Sequence, residues 1–154
     1  MNQIREIFCF TVDNQRYAFP LISVDRILQA VEVNRVPNSP PLIHGLIDLN
    51  GSLVPVVNLR YRLKLPDQPI RASDYFIVVD TPKRKIALVI DEIEDVIIPS
   101  AKDLVPASAL DMGLDATGIL RCDDGIILIY DLETFISSRD EEVLQEILDA
   151  ESEK

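Results

Sequence analysis

Residues 45–60 read GLIDLNGSLVPVVNLR, two apolar runs hinged on Asn50-Gly51. Asn-Gly takes the positive φ angles of a two-residue type I′ turn, and alternating or β-branched residues flank it, so the stretch predicts a tight β-hairpin. Its surroundings are also patterned, with Pro37, Pro40 and Pro41 before it and Leu59-Arg60 closing it. That raises the question of whether the hairpin is turn chemistry alone or also a contact surface.

Outward from this hairpin the chain repeats itself. GLIDLNGSLVPVVNL aligns with GILRCDDGIILIYDL, pairing Gly45 with Gly118, Val54 with Ile127, Val56 with Ile129, Asn58 with Asp131 and Leu59 with Leu132, a constant offset of 73 residues. YAFPLISV likewise aligns with IALVIDEI, pairing Tyr17 with Ile86, Ala18 with Ala87 and Val24 with Ile93. Internal repetition of this kind predicts two related structural units.

Ten short segments rich in Val, Ile, Phe and Tyr read as strands: IREIFCFTV, RYAFP, AVEVNRV, HGLIDL, SLVPVVNL, DYFIVVD, RKIALVI, DVIIP, ATGILRC and GIILIYDL. Asp13-Asn14-Gln15, Pro82-Lys83-Arg84 and Asp123-Asp124-Gly125 read as turns between them. The class is all-β. About five strands per half suit two small barrels side by side, roughly 4–63 and 74–137, within one domain spanning 1–138. LKLPDQPIRASD, residues 63–74, is the linker, interrupted by Pro66 and Pro69, and a strand exchanged between the halves is compatible with the pattern.

Helical spacing occurs in three places. Leu21, Val24, Ile27 and Leu28 predict a short amphipathic helix within Leu21–Ala30, and LETFIS predicts another. In RDEEVLQEILDAESEK, Val143, Leu144, Ile147 and Leu148 form one apolar stripe on an acidic helix covering 139–154, with Ser137 or Ser138 as its cap and a frayed ESEK end. The stripe is expected to pack on the parent barrel; docking on a partner is the other reading.

The 154 residues carry a net charge of −11, which repels the phosphate backbone that lysine and arginine neutralise in nucleic-acid binding. Nucleic acid is excluded as a partner, and so is direct membrane insertion, since no run reaches the length of a spanning helix. MNQIREIFCF lacks the basic and apolar regions of a signal peptide, so a cytoplasmic location is expected. Cys9 and Cys122 sit in predicted strands as small hydrophobes, outside any CxxC spacing.

Catalytic apparatus is sparse. His44 is the single histidine, with no GxSxG or comparable nucleophile motif to serve. Asp91-Glu92, Glu94-Asp95, Asp123-Asp124 and the acidic run 140–142 read as solvated charge, because neighbours along a strand point to opposite faces. A small carboxylate-dependent hydrolase using Asp91 and Asp123 is the competing enzymatic reading. The five glycines make neither a GxGxxG nor a Walker arrangement, so no cofactor, nucleotide or metal site is expected. Elimination leaves a binding module.

The ordered run from YAFP through VDRI, VPNSPPLIHGLIDLNGSLVPVVNLR, FIVVD, IALVIDEI and GIILIYDL resembles the CheW-like adaptor family of bacterial chemotaxis across residues 4–137. The resemblance implies two five-stranded SH3-like barrels, binding to the regulatory domain of a CheA-type histidine kinase, and a groove between the barrels for the cytoplasmic tip of a chemoreceptor. It also implies that the Asn50-Gly51 hairpin borders that groove.

Two positions depart from the family pattern. Val24-Asp25-Arg26-Ile27 stands where the family has V-x-E-I, and Asp48-Leu49-Asn50-Gly51 where it has N-L-R-G. Arg26 and Asn50 thus reverse one charge and remove another. Either they retune the receptor contact together, Asn50 sparing Arg26 a second positive neighbour, or both have drifted on a solvated face. Val24, Ile27, Val36 and Ile43 are the apolar candidates around Arg26, Asn50 and Gly51, with plain core as the competing reading of each. Two adaptor readings follow: a coupler of receptor to kinase, or a divergent adaptor that binds the kinase without the usual receptor and competes with a normal coupler.

Overall fold

A computed structural model describes residues 6–106 and 116–152. Among these residues there are eleven strands: β1 (Ile7–Val12), β2 (Gln15–Pro20), β3 (Val24–Gln29), β4 (Ile43–Leu49), β5 (Ser52–Val57), β6 (Tyr75–Asp80), β7 (Lys85–Ile90), β8 (Glu92–Ile97), β9 (Leu104–Pro106), β10 (Gly118–Cys122) and β11 (Gly125–Ile129). Three α-helices accompany them among the described residues: α1 (Leu59–Arg62), α2 (Leu132–Phe135) and α3 (Ser138–Ser152). Ile4 and Arg5 of the first predicted strand, and Glu153 and Lys154 of the acidic end, lie outside the described residues.

The strands form two sheets of SH3-like barrels, ordered β8-β1-β2-β11-β10-β9 and β3-β6-β7-β5-β4. Five strands were expected in each. The six-stranded sheet gains β9, three residues ending in Pro106 and too short to show a period of two. The first five strands of the larger sheet correspond one to one with the smaller sheet, β8 with β3, β1 with β6, β2 with β7, β11 with β5 and β10 with β4. Each barrel therefore combines the leading hairpin of one half of the sequence with the later strands of the other. The chain crosses between barrels after β2 and again after β7.

This interleaving explains the unbroken apolar runs. Alternate residues of β1 serve different cores: Ile7 and Cys9 face a small core inside the first barrel with Ala18, Leu120, Ile127 and Ile129, whereas Phe8, Phe10 and Val12 face a large shared core between the barrels. Ile47, Val54, Val56, Phe76, Val78 and Ala87 fill the second barrel. Strands buried on both faces lose the polar half of their alternation. Burial pushes the Cys9 thiol up to about 11, so at neutral pH it stays an uncharged core residue.

The turns follow their residues. Asn50 and Gly51 have φ of 53° and 90°, and Asp13 and Asn14 have 55° and 64°, the positive pairs that a two-residue hairpin of right-handed strands demands. Asn58, at the end of the hairpin segment, caps α1 by accepting a hydrogen bond from Tyr61 N at 3.2 Å. Helix α3 begins with a capping exchange, Asp140 N donating to Ser137 Oγ at 3.0 Å and Ser137 N to Asp140 Oδ2 at 3.2 Å. Its stripe is core: Leu144 and Ile147 are buried in the shared core, and Arg84 in the β6–β7 turn fastens the helix through Glu141 and Gln145.

Two expectations need correcting. Leu21–Ala30 is not a helix but a single 3₁₀ turn, Leu21–Ser23, followed by β3. In β3 an extra residue is inserted at Asp25, since Val24 opposes Val79 and Arg26 already opposes Val78. That bulge puts Val24, Ile27 and Leu28 on inward positions at spacings that mimic a helical turn. AVEVNRV is not a strand either; it contributes one bridge, Asn34 with Leu46, where it passes so close over Gly45 that a Cβ there would stand 2.3 Å from the Asn34 oxygen.

Candidate partner-binding surface

β3 and β8 are equivalent edge strands, one per barrel, and both follow a crossover. β8 is bulged like β3: Phe10 opposes Ile93 and Phe8 opposes Val96, leaving one residue extra across Glu94-Asp95. Bulges bend an edge strand and re-aim its side chains. Each bulge is tied down by an equivalent ion pair, Arg16 Nε to Glu94 Oε1 at 2.8 Å in one barrel and Lys85 Nζ to Asp25 Oδ1 at 3.5 Å in the other. Aligning Tyr17 with Ile86 makes Arg16 the counterpart of Lys85, Asp25 of Glu94 and Arg26 of Asp95.

Large apolar side chains are left in water around these edges. Ile22, in the turn leading to β3, is 92% exposed, and Ile98, just past β8, is 74% exposed. Both lie at one end of β1, because Leu21 N donates to Glu6 O at 3.0 Å while Ile7 opposes both Pro20 and Ile97. Ile93 and Val96 of β8 are exposed as well. Clustered apolar exposure beside otherwise sealed cores marks an interaction surface more than scattered residues do.

The residues singled out in the sequence are distributed unevenly. Val24, Ile27 and Val36 are half-buried and pack against the shared core, and Ile43 is buried within it, with no surface to offer a partner. Arg26 is exposed on β3, where its Nε donates to Asp25 Oδ2 at 3.0 Å. Asn50 and Gly51 are exposed at the β4–β5 tip, where Gly51 N donates to Asp48 Oδ1 at 2.8 Å. β3 and β4 are the two outer strands of the five-stranded sheet, so Arg26 and Asn50 do not share a strand pair, and the charge of Arg26 is answered by Asp25. The Asp25 carboxyl is held below the usual range, first by the hydrogen bond from Arg26 and also by Lys85.

A second cluster joins the barrels. Arg60 of α1, nearly buried, places Nη2 2.7 Å from Asp91 Oδ2 and Nη1 3.5 Å from Asp13 Oδ1. Asp91 occupies the crossover from β7 to β8, also accepts from Asp13 N at 2.9 Å, and faces Arg71 at 3.9 Å. One arginine thus ties the second barrel to the β1–β2 turn of the first. His44 lines the narrow polar recess beside this cluster with Asn58 and Asp74, and burial pushes its pKa down. Among the described residues no three His, Cys, Asp or Glu side chains gather to hold a metal ion, and no helix is long and apolar enough to cross a membrane.

With this architecture in view, comparison with known proteins is decisive. The family model for the CheW-like domain matches residues 6–140. The chain belongs to the CheW-like domain family. The chemotaxis protein CheW of Klebsiella aerogenes is 26% identical over 139 residues, covering 88% of this chain and 84% of that protein. The chemotaxis protein CheW of Bacillus subtilis is 33% identical over 92 residues, 60% of this chain and 59% of that one. The crystal structure of the scaffolding protein TtCheW from Thermoanaerobacter tengcongensis superimposes with a TM-score of 0.78 at 22% identity, covering 88% of this chain and 94% of that one, which shows the same fold.

Ile22, Ile93, Val96 and Ile98 were missed as surface residues in the sequence. The repeat pairs Val24 with Ile93 and Ile27 with Val96, which marks the two segments as equivalent, but Val24 and Ile27 are half-buried against the shared core, so the pairing carries no signal for the exposure at β8.

Proposed function

We propose that this CheW-like domain is a noncovalent adaptor that couples the cytoplasmic tip of a chemoreceptor to the regulatory domain of a CheA-type histidine kinase, and that it has no catalytic role of its own. The observation that supports this most is the exposed apolar set Ile22, Ile93, Val96 and Ile98 at and beside the β3 and β8 edges of a protein with three buried cores. A few such anchors supply most of an interface's energy, and charges around them select the partner. Holding two partners at once raises their effective concentration for each other, which is the whole of the mechanism required. Arg26 and Asn50 belong to the receptor-selecting periphery in this reading.

Calorimetric titration tests it, first with the regulatory domain of the kinase from the same cell and then with a receptor-tip fragment. Binding to both is expected. Binding to the kinase alone identifies a competitor of normal couplers, and binding to neither refutes the adaptor function.

A further inference from the structure

The chain holds two cysteines, far apart in sequence, and the fold brings both to one place. Cys9 on β1 is buried in the small core of the first barrel, and Cys122, at the end of β10, packs against the same core with part of its surface open to water. β2 and β11 lie between their strands, so the two thiols face each other across the barrel interior, which in so small a barrel is only wide enough for side chains to meet. Arg16 spans the mouth beside them, its Nε 2.8 Å from Glu94 Oε1 on β8 and its Nη1 3.0 Å from Asp124 Oδ1 in the β10–β11 turn. Burial raises the Cys9 thiol, the Arg16 charge opposes that rise, and Cys122 lies near enough to act on both Cys9 and Arg16. The fold itself does not call for sulfur there. By the repeat, the counterparts of Cys9 and Cys122 in the second barrel are Val78 and Leu49, so hydrocarbon fills both positions.

We propose that Cys9 and Cys122 form a reversible dithiol, closed to an intramolecular disulfide by a peroxide and reopened by a thiol reductant. Access sets the order of the steps. The partly exposed Cys122 sulfur attacks one oxygen of the peroxide, the O–O bond breaks, and water leaves as Cys122 becomes a sulfenic acid. The Cys9 sulfur then attacks the sulfenyl sulfur, and its thiol proton leaves with the hydroxyl as a second water, so the two thiols give two electrons to one hydrogen peroxide. Arg16 assists as a fixed cation beside sulfurs that react in their anionic form. The product is neutral and suits a hydrocarbon core, whereas a metal ion held by two thiolates brings charge into it. The bond joins β1 to β10, strands that are not paired with each other. The proposal needs no partner and stands apart from the adaptor reading.

The test treats the folded full chain with hydrogen peroxide at neutral pH, blocks remaining thiols, and maps the unreduced peptides by mass spectrometry. In wild type the two thiols are expected to disappear together, with the Cys9 and Cys122 peptides joined within one chain and separated again by dithiothreitol. Cys9→Val should leave Cys122 without its resolving thiol, so that its sulfenic acid accumulates and is captured by dimedone. Cys122→Leu should slow the loss of the Cys9 thiol about tenfold or more, because the sealed sulfur loses the partner through which it reacts. Both variants are expected to keep the circular dichroism of the native fold, since Val78 and Leu49 already fill the equivalent places. The wild-type peptide map decides the matter even if a variant does not fold. Cys122 oxidised while Cys9 keeps its thiol, disulfides formed only between chains, a link that forms only once urea has unfolded the protein, or no reaction at either thiol each overturns the proposal.

Discussion

Replacing Asp91 with alanine isolates the contribution of the inter-barrel cluster. The substitution leaves the Arg60 guanidinium about 10% exposed with its 2.7 Å partner gone, and it also strips Asp13 N of its acceptor. Removing one member of a buried pair costs about 3–5 kcal/mol because the remaining charge is stranded. Two features reduce that here: Asp13 stays 3.5 Å from Arg60, and Pro66 O still accepts from Arg60 at 3.3 Å. The expected loss is therefore about 3 kcal/mol, at the lower end of that range, a large fraction of the ~5–15 kcal/mol that holds a domain together. For a chain of this size it lowers Tm by about 6–12 °C.

The assay is thermal and urea unfolding of wild type, Asp91→Ala, Arg60→Met and the double variant. If stranded charge is the cause, adding Arg60→Met to Asp91→Ala recovers about 1 kcal/mol or more, because a thioether needs no counter-charge. A loss under about 1 kcal/mol for Asp91→Ala, or a double variant as unstable as the sum of the singles, refutes the reasoning.

Other outcomes follow from single contacts. His44 has a depressed folded pKa, so its contribution is complete above the unfolded value of 6.5 and declines as pH falls through 6.5 toward the folded value; Tm measured from about pH 7.5 down to about pH 5 should fall less in His44→Gln than in wild type. Gly45→Ala forces a Cβ to within 2.3 Å of Asn34 O at a φ of 153° and should cost about 3 kcal/mol or more in urea unfolding, whereas Gly51→Ala, with nothing within 4 Å, should cost about 1 kcal/mol. Arg26→Glu removes the main cause of the lowered Asp25 pKa, so carboxyl titration by NMR should show Asp25 moving up while the fold persists. An unmoved Asp25 would separate Arg26 from that bulge.

Much of the architecture was readable from residue order, and the failures share a cause. Asn50-Gly51, Asp13-Asn14 and the repeat at offset 73 are local or self-referential signals, and each led to a correct turn or strand. The α3 stripe was also legible, since Val143, Leu144, Ile147 and Leu148 keep a helical period against an acidic background. β3 was misread because a bulge adds a residue, and one added residue converts the period of a strand into an apparent helical one. The pairing of Asn34 with Leu46 and the water exposure of Ile98 depend on which distant strand lies alongside, which a window of neighbouring residues does not contain. Ile43 shows the same limit from the other side, because the pattern that marked it as a contact is the pattern of a core residue.

The interleaved halves bear on how two equivalent edge strands of one small domain come to differ. Exchange of the leading hairpins makes β3 and β8 equivalent in backbone, bulge and bulge-anchoring ion pair, yet Val24 and Ile27 pack against the shared core where their counterparts Ile93 and Val96 stand in water, so the two edges present different surfaces. Sign differs at the equivalent position as well: Arg26 on β3 is neutralised by Asp25, whereas its counterpart on β8 is the exposed Asp95. Like charges placed opposite each other penalise the wrong partner without any change in the sheet that displays them. On this logic the Arg26 departure changes how the two edges differ from each other, and restoring glutamate there would make the edges more alike in charge.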